Sequence, residues 1–211
     1  MAINASDNDE DIHIYMGNAG HSYLLLSLLL KDDEGKSISK LNKGIEWLSQ
    51  AIELTTTSSI KPSARNFNLR GRCYTVLSDI EKDSNKRNQL LKYALEDFSQ
   101  AITKNPKNRD YYWNRYCIYN RLSQVKECIE ELIQAEYLEH DNKYIDKLSS
   151  LLKKSTDLIT GSIEFYNKLA SQKEGPPQLV ELIAQYQAKS EIRKQAEAAA
   201  GKAPDIEESE K

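Results

Sequence analysis

Cysteine is nearly missing from this chain of 211 residues, and what there is cannot hold a fold together. Cys73, Cys117 and Cys128 are odd in number and show no CxxC spacing. That excludes a disulfide framework and a zinc site and leaves reduced thiols as the reading. Glycine (8) and proline (5) are scarce, which argues against a β-rich or loop-rich chain. Long hydrophobic runs are absent: the longest, Leu24 to Leu30, is broken by Ser27 and is far too short to span a bilayer. The acidic start, Met1 to Asp11, lacks the basic region of a signal peptide and the Arg-rich face of a transit peptide. These absences give the expectation of a cytoplasmic or nuclear protein without membrane insertion. Catalytic signatures are missing too. There is no phosphate-binding Gly loop, no nucleophile elbow and no His-Glu zinc helix. His13, His21 and His140 are far apart, and none has metal-ligand spacing to a cysteine or carboxylate. The expectation is therefore no enzyme, with no catalytic residues, no metal and no cofactor.

What the chain does have is helix-forming material. Leu, Ala, Lys, Glu and Gln recur throughout, and the mean hydropathy of −0.66 gives a wet surface. The formal charge of −3 makes no global demand for nucleic acid, but it is unevenly spread. From Ile60 to Val125 there are 13 Lys and Arg against 6 Asp and Glu, a local +7 that leaves the rest about 10 negative. A basic middle between acidic ends favours an acidic partner.

The decisive signal is internal similarity. Gly44-Ile45-Glu46-Trp47-Leu48-Ser49-Gln50-Ala51 aligns with Ala94-Leu95-Glu96-Asp97-Phe98-Ser99-Gln100-Ala101 and with Cys128-Ile129-Glu130-Glu131-Leu132-Ile133-Gln134-Ala135. The small, bulky and Ala positions are four and three residues apart, on one helical face. Small residues let a neighbouring helix approach, and the bulky one fills the gap between. Ala94, Phe98, Ala101 and Pro106, preceded by Phe67, Gly71 and Tyr74, resemble the tetratricopeptide repeat (TPR). A third copy offers Tyr112, Tyr116, Tyr119, Cys128, Leu132 and Ala135, with His140 where Pro is usual, and a first copy Gly20, Tyr23, Gly44, Leu48 and Ala51. The second-helix Ala recurs at 51, 101 and 135, so only the last step has the standard period of 34. The first two copies carry insertions of about a dozen residues between their helices, Lys31 to Lys36 and Ser78 to Asn85 among them, expected as lengthened helix ends plus an exposed loop.

The resemblance implies an all-α chain: a short α-solenoid of three helix-turn-helix repeats, a capping helix and an extra C-terminal helix. The expected organisation is a disordered N-terminus (1–11), a TPR-like domain with its cap (12–170), a linker (171–177), a C-terminal helix (178–200) and an acidic disordered tail (201–211). The cap rests on Ile145, Leu148, Leu152, Ile159, Tyr166 and Leu169, an amphipathic stripe with Gly161 as its weak point. Leu179, Leu182, Ile183 and Tyr186 make the last helix apolar early, after which it turns polar and offers a second contact surface.

In the TPR family the first helices line a groove that holds a peptide or partner helix. Carried over by position, the groove residues are Arg65, Asn68 and Arg72 in the second copy and Asp110, Trp113, Cys117 and Asn120 in the third, with Ile14, Gly17, His21 and Leu24 in the first and Thr75 beside Arg72. The subclass that grips a chaperone's C-terminal carboxylate uses Lys, Asn, Asn, Lys and Arg; the matching positions, Gly17, His21, Leu69, Asp110 and Asn114, lack that chemistry. Trp113 among Tyr111, Tyr112 and Arg115 suits an interface anchor. Arg70 and Arg115 stand where Leu is usual, so each needs a partner or a route to the surface. The function expected is a non-catalytic adaptor or scaffold, a small subunit or assembly factor of a multi-subunit complex. The alternatives are a co-chaperone-like protein without the clamp, and an RNA-associated protein using the basic 60–125 region.

Overall fold

The computed structural model of the chain describes residues 5–57, 61–139, 141–154, 159–170 and 175–200. Among these every regular element is a helix, nine in all. The chain divides into two compact units, Met1–Gln124 and Val125–Lys211. The first holds α1 (Ala5–Leu29), α2 (Glu34–Thr57), α3 (Ala64–Ile80), α4 (Ser84–Lys104) and α5 (Arg109–Arg121). The second holds α6 (Val125–Leu138), α7 (Asn142–Lys154), α8 (Ile159–Ala170) and α9 (Pro177–Ala200). The fold is all-α and built of TPR-like helix hairpins.

In the first unit α1 pairs with α2 and α3 with α4, while α3 also packs against α2, α1 and α5. The hairpins close where the sequence supplies small residues. A Cβ on Gly71 would stand 2.8 Å from the Phe98 ring, and one on Gly44 would stand 3.2 Å from the Gly20 carbonyl oxygen. Only hydrogen at these positions lets the helix backbones approach that closely. Leu48 covers Gly20 just as Phe98 covers Gly71, so the first two hairpins repeat one contact. Ala51, Ala94, Ala101, Leu48 and Phe98 are all buried. One cluster joins Leu24, Leu41, Leu48, Leu69 and Cys73 across α1, α2 and α3. A second runs from Ile52 and Phe67 to Ala101 and Tyr111, and a third joins Leu91, Ala94 and Phe98 to Ile118 of α5. Neighbouring hairpins thus share core, as stacking of units that cannot bury their apolar faces alone requires.

The inserted residues are mostly helix. Only four residues separate α1 from α2, and three separate α3 from α4. The polar insert residues act as caps rather than loop. Asp83 accepts from the Asn85 and Lys86 amides at 2.8 and 2.9 Å, Asp33 accepts from the Lys36 amide at 3.0 Å, and Arg87 donates to the Glu81 carbonyl at 2.7 Å. Helix also reaches further than expected at two other places. α1 takes in residues 5–11 of the start expected to lack structure, and its acidic sequence suits a helix N-terminus. Thr55, Thr56 and Thr57, β-branched and weak helix formers, form the last turn of α2. His140 and the tail at 201–211 lie outside the described residues.

In the second unit Cys128, Leu132 and Ala135 of α6 are buried, like their counterparts in α2 and α4. The expected cap is two helices, α7 and α8, rather than one, with Gly161 inside α8. Tyr144, Leu148 and Leu152 bury one face of α7. The Tyr137 hydroxyl donates to the Leu169 carbonyl of α8, and that of Tyr186 to the Ser149 carbonyl of α7. Leu179, Leu182, Ile183 and Tyr186 bury the first half of α9, whereas Ile192 is exposed.

Candidate partner-binding face on α1, α3 and α5

α3 lies between α1 and α5, and the three meet through polar side chains. Arg65 donates to Asn18 Oδ1 at 3.1 Å and lies 3.2 Å from His21 Nδ1. A guanidinium has no acceptor, so His21 must receive that bond through an unprotonated Nδ1. Its ring is held in the neutral form, below the usual histidine range, first by partial burial and then by the charges of Arg65 and Arg72. On the other flank Asn114 of α5 donates to Asn68 Oδ1 at 2.7 Å. Arg121 makes a two-pronged ion pair with Asp79, both bonds 3.0 Å, which raises its already high pKa. Arg72, Thr75, Val76, Asn114, Cys117 and Arg121, floored by Phe98, line a cavity of about 170 Å³.

The three guanidiniums on α3 differ in their pairing. Arg70, at the position where Leu was expected, is held by the buried carboxylate of Asp97 at 2.8 and 2.9 Å and by Ser49 Oγ of the preceding hairpin at 3.0 Å. The partner that Arg70 needed is this Asp, whose carboxyl burial pushes upward against the pull of Arg70. Arg115 similarly donates to Ser99 Oγ at 3.1 Å. Arg65, by contrast, bonds only neutral groups, and Arg72 contacts no carboxylate among the described residues.

The residues expected to line the groove therefore divide. Arg65, Asn68 and Arg72 form one stripe of α3 and meet the neighbouring helices as described. Asp110 is exposed in the first turn of α5, its amide capped by Asn108 at 3.0 Å and its carboxylate 3.8 Å from Arg109. Trp113 is half-buried and stacks on Tyr116 with centroids 5.0 Å apart. Asn120 is exposed near the end of α5. Of the companion positions, Gly17 and Leu24 are buried and His21 is half-exposed. The residues that join α5 to α3 are Asn114 and Arg121, with Asn18 doing the same from α1. Equivalent positions on successive helices point the same way, whereas neighbours touch through opposite flanks, so transfer by position lands one residue away from the contact. The three- and four-residue steps from Asn114 through Cys117 to Arg121 are the signal that marks the flank.

Among the described residues no group of three or more His, Cys, Asp and Glu is placed to hold a metal ion. Burial pushes the Cys73 thiol up to about 12, which keeps it protonated.

No protein-family model matches the sequence, and no curated protein matches it. Among solved structures, the chain is similar to a thermophilic TPR protein of Thermus thermophilus, at 18% identity over 81% of this chain and 98% of that one, with a TM-score of 0.41. It is also similar to YrrB, described as a TPR protein with an unusual peptide-binding site, at 16% identity, 83% and 90% coverage and a TM-score of 0.44. A third is Acl4, an assembly chaperone of RpL4, at 11% identity, 83% and 69% coverage and a TM-score of 0.44. The class of this fold, a TPR-like repeat of helix hairpins, stands on the chain's own repeated Gly, Phe, Leu and Ala contacts.

Proposed function

We propose that this chain is a non-catalytic interaction protein that holds an extended acidic segment of a partner protein along the face of α1, α3 and α5. The observation that carries the reading is the pair Arg65 and Arg72, two guanidiniums on one partly exposed helix stripe with no carboxylate of the described residues bound to either. Carboxylates of a ligand would complete them, and Asn68, Asn114 and Thr75 would serve the ligand's backbone. The helices are fixed by shared core, so the donors are preorganised and little ordering cost falls on this side of the complex. An adaptor or a small subunit of a larger assembly works by such contacts.

Peptides rich in Asp and Glu, matched neutral peptides and single-stranded RNA of similar length, each offered to the whole chain, test the proposal. Acidic peptides should bind, and Arg65→Ala with Arg72→Ala should weaken them at least about tenfold, the loss of one or two charge-assisted hydrogen bonds. The ring of His21, followed by NMR, should titrate at higher pH in the complex, because the ligand's negative charge favours its protonated form. Equal binding of neutral peptides, binding of RNA alone, or a double variant as tight as the parent would each overturn the reading.

A further inference from the structure

Between Asp11 and Lys31 the chain contains no Asp, Glu, Lys or Arg, although 29% of its residues are charged. Those residues, 12–30, are most of α1 and the residue after it. One side of α1 is buried against α2 and α3 through Gly17, Gly20, Leu24 and Ser27. The opposite side carries Ile14, Tyr15, Leu25, Leu26 and Leu29, from 42% to 80% exposed, with the edge of the Tyr15–Trp47 ring pair joining it to α2. Taking about 200 Å² for a large side chain fully exposed, these five present roughly 570 Å² of apolar residue to water. That is at the upper end of the roughly 300–600 Å² of a monomer's largest patch, where such patches are often functional, and a standard interface covers about 800 Å² per partner. Two such faces together exceed the roughly 1,000 Å² that a specific interface needs.

The pattern on this face says what covers it. Tyr15, Asn18, Ser22, Leu25 and Leu29 follow steps of three, four, three and four, the seam of a helix that packs along another. Ile14 and Leu26 flank the seam. The seam is also self-complementary in reverse. With Ser22 at the centre, Tyr15 and Leu29 are each seven residues away, so an antiparallel second copy sets Tyr15 against Leu29, Asn18 near Leu25, and Ser22 against Ser22. That is the reciprocity a two-fold axis demands. The two polar members are already engaged: Ser22 Oγ donates to the Asn18 carbonyl at 3.0 Å, and Asn18 Oδ1 accepts from Arg65. A parallel pair would instead bring together the acidic residues 7–11 of both copies. The acidic flanks, Asp7 to Asp11 and Asp32 to Glu34, also disfavour an anionic lipid surface.

We propose that α1 is a dimerisation helix, through which two copies of this chain pair antiparallel along Tyr15, Asn18, Ser22, Leu25 and Leu29. This pairing uses apolar contact rather than guanidinium charge, and it meets the acidic-segment reading only at Asn18, which Arg65 holds.

Sedimentation of the full chain, with and without Leu25→Glu and Leu29→Glu together, gives the first test. The parent should sediment as a dimer, and the double variant should remain as helical by circular dichroism while its dissociation constant rises about 100-fold or more. Cysteine pairing fixes the orientation in a Cys117→Ser background, where the remaining thiols are buried. Ser22→Cys should form a disulfide with its own copy. Tyr15→Cys and Leu29→Cys should link only when mixed, since in either alone the two thiols are about 21 Å apart along the pair. A monomeric parent, a dimer untouched by the glutamates, or self-linking of Tyr15→Cys would overturn the proposal.

Discussion

Arg70 and Asp97 show how one polar pair can sit inside an apolar repeat. The Asp97 carboxylate is 2% exposed, and Arg70 covers both its oxygens while reaching Ser49 on the other side. Taking two charges out of water costs several kcal/mol per ion, and the mutual attraction only roughly offsets it. Removing one partner is therefore far worse than removing both. Asp97→Ala should cost about 3–5 kcal/mol in chemical denaturation, because it strands a guanidinium. Arg70→Met combined with Asp97→Leu should recover most of that loss. A double variant no more stable than Asp97→Ala would mean that the pair contributes through geometry that apolar side chains cannot replace. Sequence alone located the conflict at Arg70 but not its solution. Asp97 occupies a position that is Trp47 in one copy and Glu131 in another, and such variation gives no periodic signal.

The helices themselves were far more legible. Their buried faces repeat at three and four residues, and Gly44, Leu48, Ala51, Ala94, Phe98 and Ala101 are all buried at the crossings the pattern implied. What the pattern could not reveal was how much of the insertions would be helical. Ser78 to Ile80 and Ser84 with Asn85 have no strong helix propensity, and they are drawn into α3 and α4 because those helices extend along a partner that already exists. The tight crossing gives an element-level test. Gly71 has no left-handed backbone and is glycine solely for room, since a Cβ would lie 2.8 Å from Phe98. In an open helix Gly→Ala stabilises, by up to about 1 kcal/mol. Here Gly71→Ala should instead destabilise by about 1–3 kcal/mol through overpacking, and Gly161→Ala, with nothing within 4 Å, should show the ordinary gain. Thermal melts of the two variants measure both signs, and a gain at Gly71 would contradict the packing described for α3 on α4.

Taken whole, the chain separates two kinds of surface that respond to different conditions. The stretch 60–125 carries a local +7 in a chain of net charge −3, and Arg65 and Arg72, bound to no carboxylate among the described residues, lie on α3. The α1 face has no charge at all over 12–30. Exposed charges farther apart than about 8 Å are screened at physiological ionic strength, while burial of apolar surface is little affected by such salt. Raising sodium chloride from about 50 mM, where the screening length is more than 10 Å, to about 1 M, where it is about 3 Å, should therefore weaken acidic-peptide binding by an order of magnitude or more. Self-association of the same sample should stay unchanged or tighten slightly. Anisotropy of a labelled acidic peptide and sedimentation of the unlabelled chain, run across one salt series, read both quantities. If the two constants moved together, a single surface would be serving both partners, and the division between a charged face for an acidic segment and a neutral one for a second copy would have to be given up.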